Sequence, residues 1–224
     1  MQGATSRKKL VIFDLDGTLI NSVADLGQAT NHALQLHGYP MHDLSKYNYF
    51  VGNGVTKLIE RALPEQFRDA ATIEKVKSGF LDYYMRHKTD LTRPYDGIPE
   101  LLHALQEKGV KIAVASNKFI AGTQALVKGF FPDIDFCAVL GQREGVPIKP
   151  DPYIANEAMQ LAGVGRGDCL YVGDTATDMQ TASNAGLESV GVSWGFRPVS
   201  ELKDAGAAHI IDKPAELLSL VDSD

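Results

Sequence analysis

The chain has 224 residues, of which 44% are hydrophobic and 22% are charged, and its formal net charge is −6. These values are ordinary for a globular protein, and the length allows one large domain or one domain with an insertion. The negative charge argues against a nucleic-acid-binding protein, which would carry a basic patch, and no apolar run approaches the ~20 residues of a membrane helix.

The N-terminus and the cysteine content predict a reducing, cytoplasmic compartment. Residues 1–9 contain no apolar stretch ahead of the first predicted strand, so no signal peptide is visible. The two cysteines, Cys137 and Cys169, are far apart and form no C-x-x-C motif. We interpret both as reduced thiols in or near core strands.

The first predicted strand delivers two carboxylates to the edge of a sheet. The run Leu10-Val11-Ile12-Phe13 has the length and unbroken hydrophobicity of a strand that is buried on both faces of a parallel sheet. Asp14 and Asp16 follow it, and Thr18 adds a hydroxyl beside them. Open α/β folds place their chemistry at this edge. Taken alone, the same residues fit an Asp-rich solvated loop equally well.

A helical block follows and shows no convincing strand. Ser22-x-x-Asp25 has the form of a capping box and predicts a helix start at Ser22. Glycine and proline supply the breaks between the helices. The predicted helices are Val23 to His37, His42 to Phe50, Val55 to Leu63 and Glu65 to His87.

From residue 94 onwards strands alternate with helices, which is typical of a doubly wound parallel sheet. The predicted strands are Val110 to Ala115, Phe136 to Leu140, Cys169 to Val172, Ser189 to Val192 and His209 to Ile211. The predicted helices are Pro99 to Lys108, Ile120 to Gly129, Pro152 to Ala162, Asp178 to Ala185 and Ala215 to Leu220. We therefore expect an α/β fold with a Rossmann-like core, residues 1–20 and 94–224, and an inserted small all-helical cap, residues 21–93.

Four short motifs occur in one order along the chain. They are Asp14-Leu15-Asp16-Gly17-Thr18-Leu19, Ser116-Asn117, Lys149-Pro150 and Gly173-Asp174-Thr175-Ala176-Thr177-Asp178. Three of them lie at predicted strand ends. Together they resemble the four motifs of the haloacid dehalogenase-like hydrolases, and the resemblance extends from about residue 9 to residue 221. One motif is weak evidence, whereas four in order are strong evidence.

The resemblance implies a phosphatase that uses Mg²⁺. Asp14 would be the nucleophile, forming an aspartyl phosphate, and would also bind the metal. Asp16 would be the general acid and then the base, with its backbone carbonyl on the metal. Asp174 would bind the metal directly, and Asp178 directly or through water. Oxygen ligands favour Mg²⁺ over zinc. For Asp178, a stabilising position at a helix N-terminus is the alternative.

The same resemblance implies a phosphate site made of Thr18, Ser116, Asn117 and Lys149. We predict that Ser116 and Asn117 open a helix after a strand, where backbone N–H groups bind anions. Lys149 precedes a proline that favours extended backbone, so its ammonium could bridge Asp14 and the phosphate.

Softer signals concern the substrate. The segment Val51-Gly52-Asn53-Gly54-Val55, together with Ser116-Asn117-Lys118 and Ser193-Trp194-Gly195-Phe196, resembles the phosphoglycolate phosphatase-like branch of the family. Gly52, Gly54 and Lys118 are therefore candidates for substrate specificity, although the glycines could simply separate two helices. Lys118 and Arg197 could contact a second anionic group of the substrate, or could be surface charges.

The expected substrate is a small phosphorylated metabolite, with phosphoglycolate as the best choice and with neither nucleic acid nor membrane as a partner. A phosphatase for sugar phosphates or other small phosphates, or a phosphosugar mutase, stays open. A signalling module phosphorylated on aspartate, like a receiver domain, would also explain the acidic residues, Mg²⁺, Ser116 and Lys149. It would not explain Asp16 or a helical insertion of about seventy residues.

Overall fold

The computed structural model describes residues 7–222, and its centre is a six-stranded parallel sheet. The strand order is β5-β4-β1-β6-β7-β8. These strands are β1 (Leu10–Phe13), β4 (Lys111–Phe119), β5 (Phe136–Gln142), β6 (Cys169–Gly173), β7 (Glu188–Val192) and β8 (His209–Ile211). Because the chain continues to one side of β1 and then to the other, the end of β1 lies at the switch point where open α/β sheets bind ligands.

Alternating side chains of β1 serve two separate apolar layers. Val11 and Phe13 belong to one layer, which includes residues of α5 (Ile98–Glu107), α6 (Ile120–Phe130) and α10 (Leu217–Asp222). Leu10 and Ile12 belong to the other, with α7 (Tyr153–Ala162) and α8 (Ala176–Ala185). A strand covered on both faces explains the unbroken apolar run. The predicted α/β fold is confirmed.

A helical insert, defined here as residues 21–93, interrupts the sheet after β1. It contains α1 (Val23–Leu36), α2 (Tyr47–Phe50), α3 (Gly54–Ala62) and α4 (Ala70–His87). These helices share an apolar cluster of their own, to which the core contributes buried Phe196. The chain crosses into and out of the insert through a two-stranded antiparallel pair, β2 (Ile20–Asn21) and β3 (Arg93–Pro94). None of the described helices has the length and apolar character needed to cross a membrane.

The predicted capping box at the start of α1 is wrong. Ser22 occupies the N-cap position, but its side chain makes no capping bond and its hydroxyl donates to Asp16 instead. The Asp25 carboxylate accepts hydrogen bonds from the backbone N–H groups of Leu91 and Thr92, which lead into β3. Both side chains thus tie the insert to its crossing points.

Several predicted boundaries also change. The long helices predicted at 42–50 and 65–87 each begin with a separate 3₁₀ turn, at Leu44–Lys46 and Glu65–Phe67. The helix α9 (Val199–Asp204) has no predicted counterpart. Strand β4 extends to Phe119, so Ser116 and Asn117 do not open a helix.

Candidate active site

Three buried carboxylates meet at the carboxyl edge of the sheet. Asp14 follows β1, Asp174 follows β6, and Asp178 lies in the first turn of α8. One oxygen from each lies within 4.8 Å of the others. The chain passes close above them at Gly17, where φ is +92° and an added Cβ would lie 2.3 Å from Asp174 Oδ2. A left-handed backbone and this close approach both require glycine at that position.

Lys149 is the cation among these acids. Its ammonium lies 2.9 Å from Asp14 Oδ1 and 2.7 Å from Asp178 Oδ1, and it also donates to the carbonyl of Ala115. The other oxygen of Asp178 accepts from the backbone N–H and the hydroxyl of Thr175, which completes a capping box for α8. Asp178 therefore both caps its helix and orients Lys149.

Asp174 is held from two sides. Its Oδ2 accepts from the backbone N–H of Phe196 at 2.7 Å, and its Oδ1 accepts from the hydroxyl of Thr18 at 3.2 Å. The Thr18 hydroxyl therefore already has a partner within the protein, and its predicted contact with phosphate remains a prediction.

Burial of like charges shifts the pKa values of this cluster. Desolvation raises the pKa of Asp14 to about 7, with Asp178 adding to the rise and Lys149 opposing it. Desolvation, followed by the charges of Asp178 and Asp14, raises the pKa of Asp174 well above its ordinary value. Burial would lower the pKa of Lys149, but the adjoining carboxylates outweigh burial and hold it well above its usual range. Asp14 and Asp174 therefore resist ionisation unless a further cation joins them.

The cluster fits a divalent metal ion. With all groups ionised, three carboxylates and one ammonium leave a charge of −2 in a buried space. Asp14 Oδ1 makes no hydrogen bond with any described residue, because the approach of Lys149 has the distance of an ion pair without hydrogen-bond geometry. An oxygen-only donor set suits Mg²⁺.

Asp16 lies in a second, separate set of contacts. The ammonium of Lys118 donates to both of its oxygens, to Oδ2 at 3.0 Å and to Oδ1 at 3.2 Å. Oδ1 also accepts from the Ser22 hydroxyl at 2.5 Å. The Lys118 side chain is only 4% exposed, so it is not a surface charge. Its ammonium lies over the ring of Tyr84 in α4, 4.6 Å from the centroid. Burial would lower the pKa of Lys118, but the charge of Asp16, with a smaller contribution from Tyr84, outweighs burial and raises it.

A bulge in β4 presents Ser116, Asn117 and Lys118 to the site. Between Ala115 and Phe119 the strand advances four residues while its partner β5 advances two. Bulges of this kind redirect side chains next to active sites. The side-chain amide nitrogen of Asn117 donates to the backbone carbonyls of Lys149 and of Gly52 in the insert. Its amide oxygen accepts from the backbone N–H of Lys149. The Ser116 hydroxyl accepts from the backbone N–H of Lys118.

A cavity of about 40 Å³ separates the sheet edge from the insert. Its polar end is lined by Asp14, Asp16, Ser116, Asn117 and Lys118, and its apolar wall by Leu26, Val51, Val55, Leu58, Phe80 and Phe119. Gly52 and Gly54 line it too. At Gly54, φ is +80° and an added Cβ would lie 2.8 Å from Gln142 Oε1 of β5, so this glycine is also a point of close approach between insert and core.

Arg197 links the core to the insert next to this cavity. It follows β7, and its guanidinium donates to the backbone carbonyls of Asn48, Tyr49 and Val51 in the insert. It also lies over the Tyr49 ring and pairs with Glu201 of α9. From the sequence, Arg197 is only a possible anion contact. Its contacts with the insert and with α9 arise from the tertiary structure, which no local pattern indicates.

Comparison with known proteins agrees with this geometry. Residues 11–192 match the family model of the haloacid dehalogenase-like hydrolases. The chain belongs to this family. A phosphoglycolate phosphatase of Mesorhizobium japonicum is 35% identical over 209 residues, or 92% of each chain. An N-acetylmuramic acid 6-phosphate phosphatase of Pseudomonas aeruginosa is 30% identical over 96% of each chain.

The structural match has the same extent. The crystal structure of a predicted phosphoglycolate phosphatase from Haemophilus somnus superposes with a TM-score of 0.88 at 30% identity, covering 95% of this chain and 97% of that one. Family membership and these relatives make the chain a phosphoric monoester hydrolase. The metal-dependent chemistry of the family agrees with the acidic cluster at the sheet edge.

The structure thus brings the predicted catalytic, metal-binding and phosphate-binding residues to one edge of the sheet, and Gly52 and Gly54 face it from the insert. Two contacts of Asp16 were not anticipated: the Ser22 hydroxyl, which the sequence assigns to a helix cap, and the Lys118 ammonium. The only sequence signal for the second was the position of Lys118 directly after the Ser116-Asn117 motif.

Proposed function

We propose that the protein hydrolyses phosphoglycolate, with Mg²⁺, through a phosphorylated Asp14. The observation that supports this most is the separation of the two aspartates at the end of β1. Asp14 lies in the acidic cluster with Lys149, whereas Asp16 faces away into an ion pair with Lys118. One carboxylate is thereby placed for attack, and the other is kept apart from the acidic cluster and serves for proton transfer once it leaves Lys118, as hydrolysis of a phosphate ester requires.

In the first step, an oxygen of Asp14 attacks phosphorus and the bond from phosphorus to the ester oxygen breaks. Asp16 supplies the proton that the departing alkoxide takes. In the second step, water attacks the phosphorus of the aspartyl phosphate and gives its proton to Asp16, and the bond to Asp14 breaks. Inorganic phosphate leaves and both carboxylates return to their starting states. Lys149 and the backbone of residues 116–118 would hold the phosphoryl oxygens.

Asp14, Asp174, the backbone carbonyl of Asp16 and, directly or through water, Asp178 would hold Mg²⁺. When bound, the ion would neutralise the charges of the carboxylates and of the phosphoryl group. Asp174 would serve as a ligand in the orientation that Phe196 and Thr18 already give it. We also propose that the helical insert is the cap of this enzyme and that the antiparallel pair of β2 and β3 is its hinge. A cytoplasmic location stays a prediction.

The size of the cavity favours phosphoglycolate over a sugar phosphate. A space of about 40 Å³ corresponds to roughly three water molecules, so any substrate requires some outward movement of the insert, and a small leaving group requires the least. The glycolate group adds four non-hydrogen atoms beyond the ester oxygen, whereas a hexose adds more than ten. The N-acetylmuramic acid 6-phosphate named for the Pseudomonas aeruginosa relative would require a much larger outward movement of the insert.

A phosphate-release screen over small phosphorylated metabolites with Mg²⁺ tests this proposal. We expect the highest kcat/KM for phosphoglycolate. Higher values for sugar phosphates would replace the proposed substrate, and an isomerised phosphosugar without phosphate release would show a mutase. Stable phosphorylation of Asp14 without turnover would indicate a signalling module instead.

A further inference from the structure

The ion pair between Lys118 and Asp16 lies in the wall of the cavity, beside the proposed nucleophile. Both residues line the cavity, and both lie at its polar end beside Asp14. Among the described residues that line the cavity, Lys118 is the sole cation. Its ammonium is held by the Tyr84 ring and by the two oxygens of Asp16.

In this pairing the proposed general acid is held away from its task. Asp16 accepts three contacts, two from Lys118 and one from Ser22, and these occupy both of its oxygens. To protonate a leaving oxygen, Asp16 must take up a proton from solvent and turn one of its oxygens from Lys118 toward the substrate. Breaking a buried ion pair is unfavourable unless another anion takes the place of the carboxylate.

Phosphoglycolate carries such an anion at a suitable distance. Its carboxylate is attached one carbon from the ester oxygen, so the carboxylate oxygens lie roughly 3 Å from it by bond lengths alone. The Lys118 ammonium is 3.0 Å from Asp16 Oδ2. A carboxylate beside the leaving oxygen can therefore reach the ammonium that now contacts the general acid.

Resting on the proposed function, we propose that Lys118 selects substrates by exchanging partners. The anionic group of the substrate takes the Lys118 ammonium, and Asp16, left with Ser22, turns to the leaving oxygen. A phosphoester with a neutral leaving group leaves the ion pair intact and Asp16 held. Lys118 thereby couples recognition of the carboxylate to the placement of the acid.

The exchange predicts a gain of affinity that a merely structural Lys118 would not produce. In Asp16→Asn the competing carboxylate is gone, so glycolate, the product, should bind the Mg²⁺-loaded protein about tenfold more tightly than it binds the wild type, measured by calorimetry. In Lys118→Met it should bind at least about tenfold more weakly. Inorganic phosphate, titrated in parallel, should bind all three proteins within about threefold and reports a folded site.

Substrate kinetics give a second, independent readout. The wild type should prefer phosphoglycolate over 2-hydroxyethyl phosphate, whose leaving group is uncharged, by about 10- to 100-fold in kcat/KM. Lys118→Met should reduce that preference below about threefold, chiefly through loss of phosphoglycolate turnover. Lys57→Met, which removes an exposed lysine of α3 paired with Glu60, is the matched control and should keep the full preference.

The outcomes separate the two proposals. An equal loss on both substrates in Lys118→Met, or unchanged glycolate affinity in Asp16→Asn, would overturn the exchange while the proposed function stands. A wild type that turns over other phosphomonoesters but not phosphoglycolate would overturn both. Should Lys118→Met fail to bind phosphate, Lys118→Gln takes its place, and the Asp16→Asn titration stands by itself.

Discussion

Asp14 carries an electrostatic strain that only its proposed chemistry explains. The residue is 6% exposed, and its Oδ1 makes no hydrogen bond with a described residue although the Lys149 ammonium lies 2.9 Å away. Desolvation raises its pKa to about 7. A residue selected for stability alone would not be an acid in this position, because a buried carboxylate without full hydrogen bonding is destabilising. Perturbed acids in a cleft are typical of functional sites.

Replacing the nucleophile should remove turnover and leave the fold intact. In Asp14→Asn we expect phosphatase activity to fall by at least about 10³-fold, since binding cannot replace a covalent nucleophile. The steady-state phosphate-release rate measures it, with the exposed Asp82→Asn in α4 as control. Activity above a few per cent, once deamidation is excluded by mass spectrometry, would contradict the assignment.

The rate lost on replacing Asp16 should be larger for a leaving group that needs a proton than for one that does not. In Asp16→Asn, phosphoenzyme formation from phosphoglycolate should slow by about 10²–10⁴-fold. With acetyl phosphate, whose leaving group is the weak base acetate and is equally small, the same step should slow by less than about tenfold. Single-turnover rates for the two substrates decide the matter, and equal losses would argue against Asp16 as general acid.

At the scale of elements, the loop after β7 connects the core to the helical insert and holds the insert against the cavity. Arg197 makes three backbone contacts with residues 48–51, and Asn117 adds one to Gly52. These contacts cross from the core to the insert without involving the proposed nucleophile or acid. They fix the position of the insert residues that line the cavity, and this position determines the space left for a substrate.

Weakening the contacts of Arg197 should make the insert open more often. Arg197→Lys retains the charge but not the forked geometry, so closure should lose about 1–2 kcal/mol. Amide hydrogen exchange across residues 44–62 should then become about 5- to 30-fold faster, while β1 and β6 remain protected. Arg86→Lys, an exposed arginine of α4, is the control. Unchanged exchange would mean that apolar packing alone holds the insert.

The elements that sequence could predict are those with a strong local signal. Strand β1 and its two aspartates follow from an apolar run whose end falls at the sheet edge. Ser22 and Asp25 have the spacing of a cap, but each finds a tertiary partner, Asp16 and the backbone at Leu91 and Thr92, that no local pattern indicates. The bulge at Ser116 likewise depends on pairing with β5. Local patterns located the catalytic candidates, whereas their mutual contacts required the fold.

At the scale of the whole molecule, net charge and local charge act in different places. The chain carries −6 overall, yet its proposed substrate is an anion. Lys118 and Lys149 supply positive charge at the polar end of the site, and the acidic cluster is suited to bind a divalent cation. Association with the substrate therefore depends on these fixed local charges and on metal loading more than on the overall field.

Stability should therefore depend on pH and on Mg²⁺ together. The folded-state pKa of Asp14, about 7, is above its ordinary value of 3.8. The folded protein thus holds a proton that the unfolded chain releases, and without metal its stability should fall as pH rises from about 4 to 7. Mg²⁺ competes with that proton. Metal at ten times its Kd should add about 1.4 kcal/mol at pH 8, or roughly 3–6 °C in Tm, and much less at pH 5.

Thermal unfolding at pH 5, 6, 7 and 8, in chelator and in Mg²⁺, measures both effects. Because other carboxylates also titrate, the informative quantity is the difference between the wild type and Asp14→Asn. The variant should be the more stable protein in chelator at pH 8, should lose this advantage toward pH 5, and should show a smaller Mg²⁺ shift. A Mg²⁺ shift of equal size at every pH would show that the metal does not bind at the Asp14 cluster, and a metal-free advantage for the wild type at pH 8 would contradict the raised pKa of Asp14.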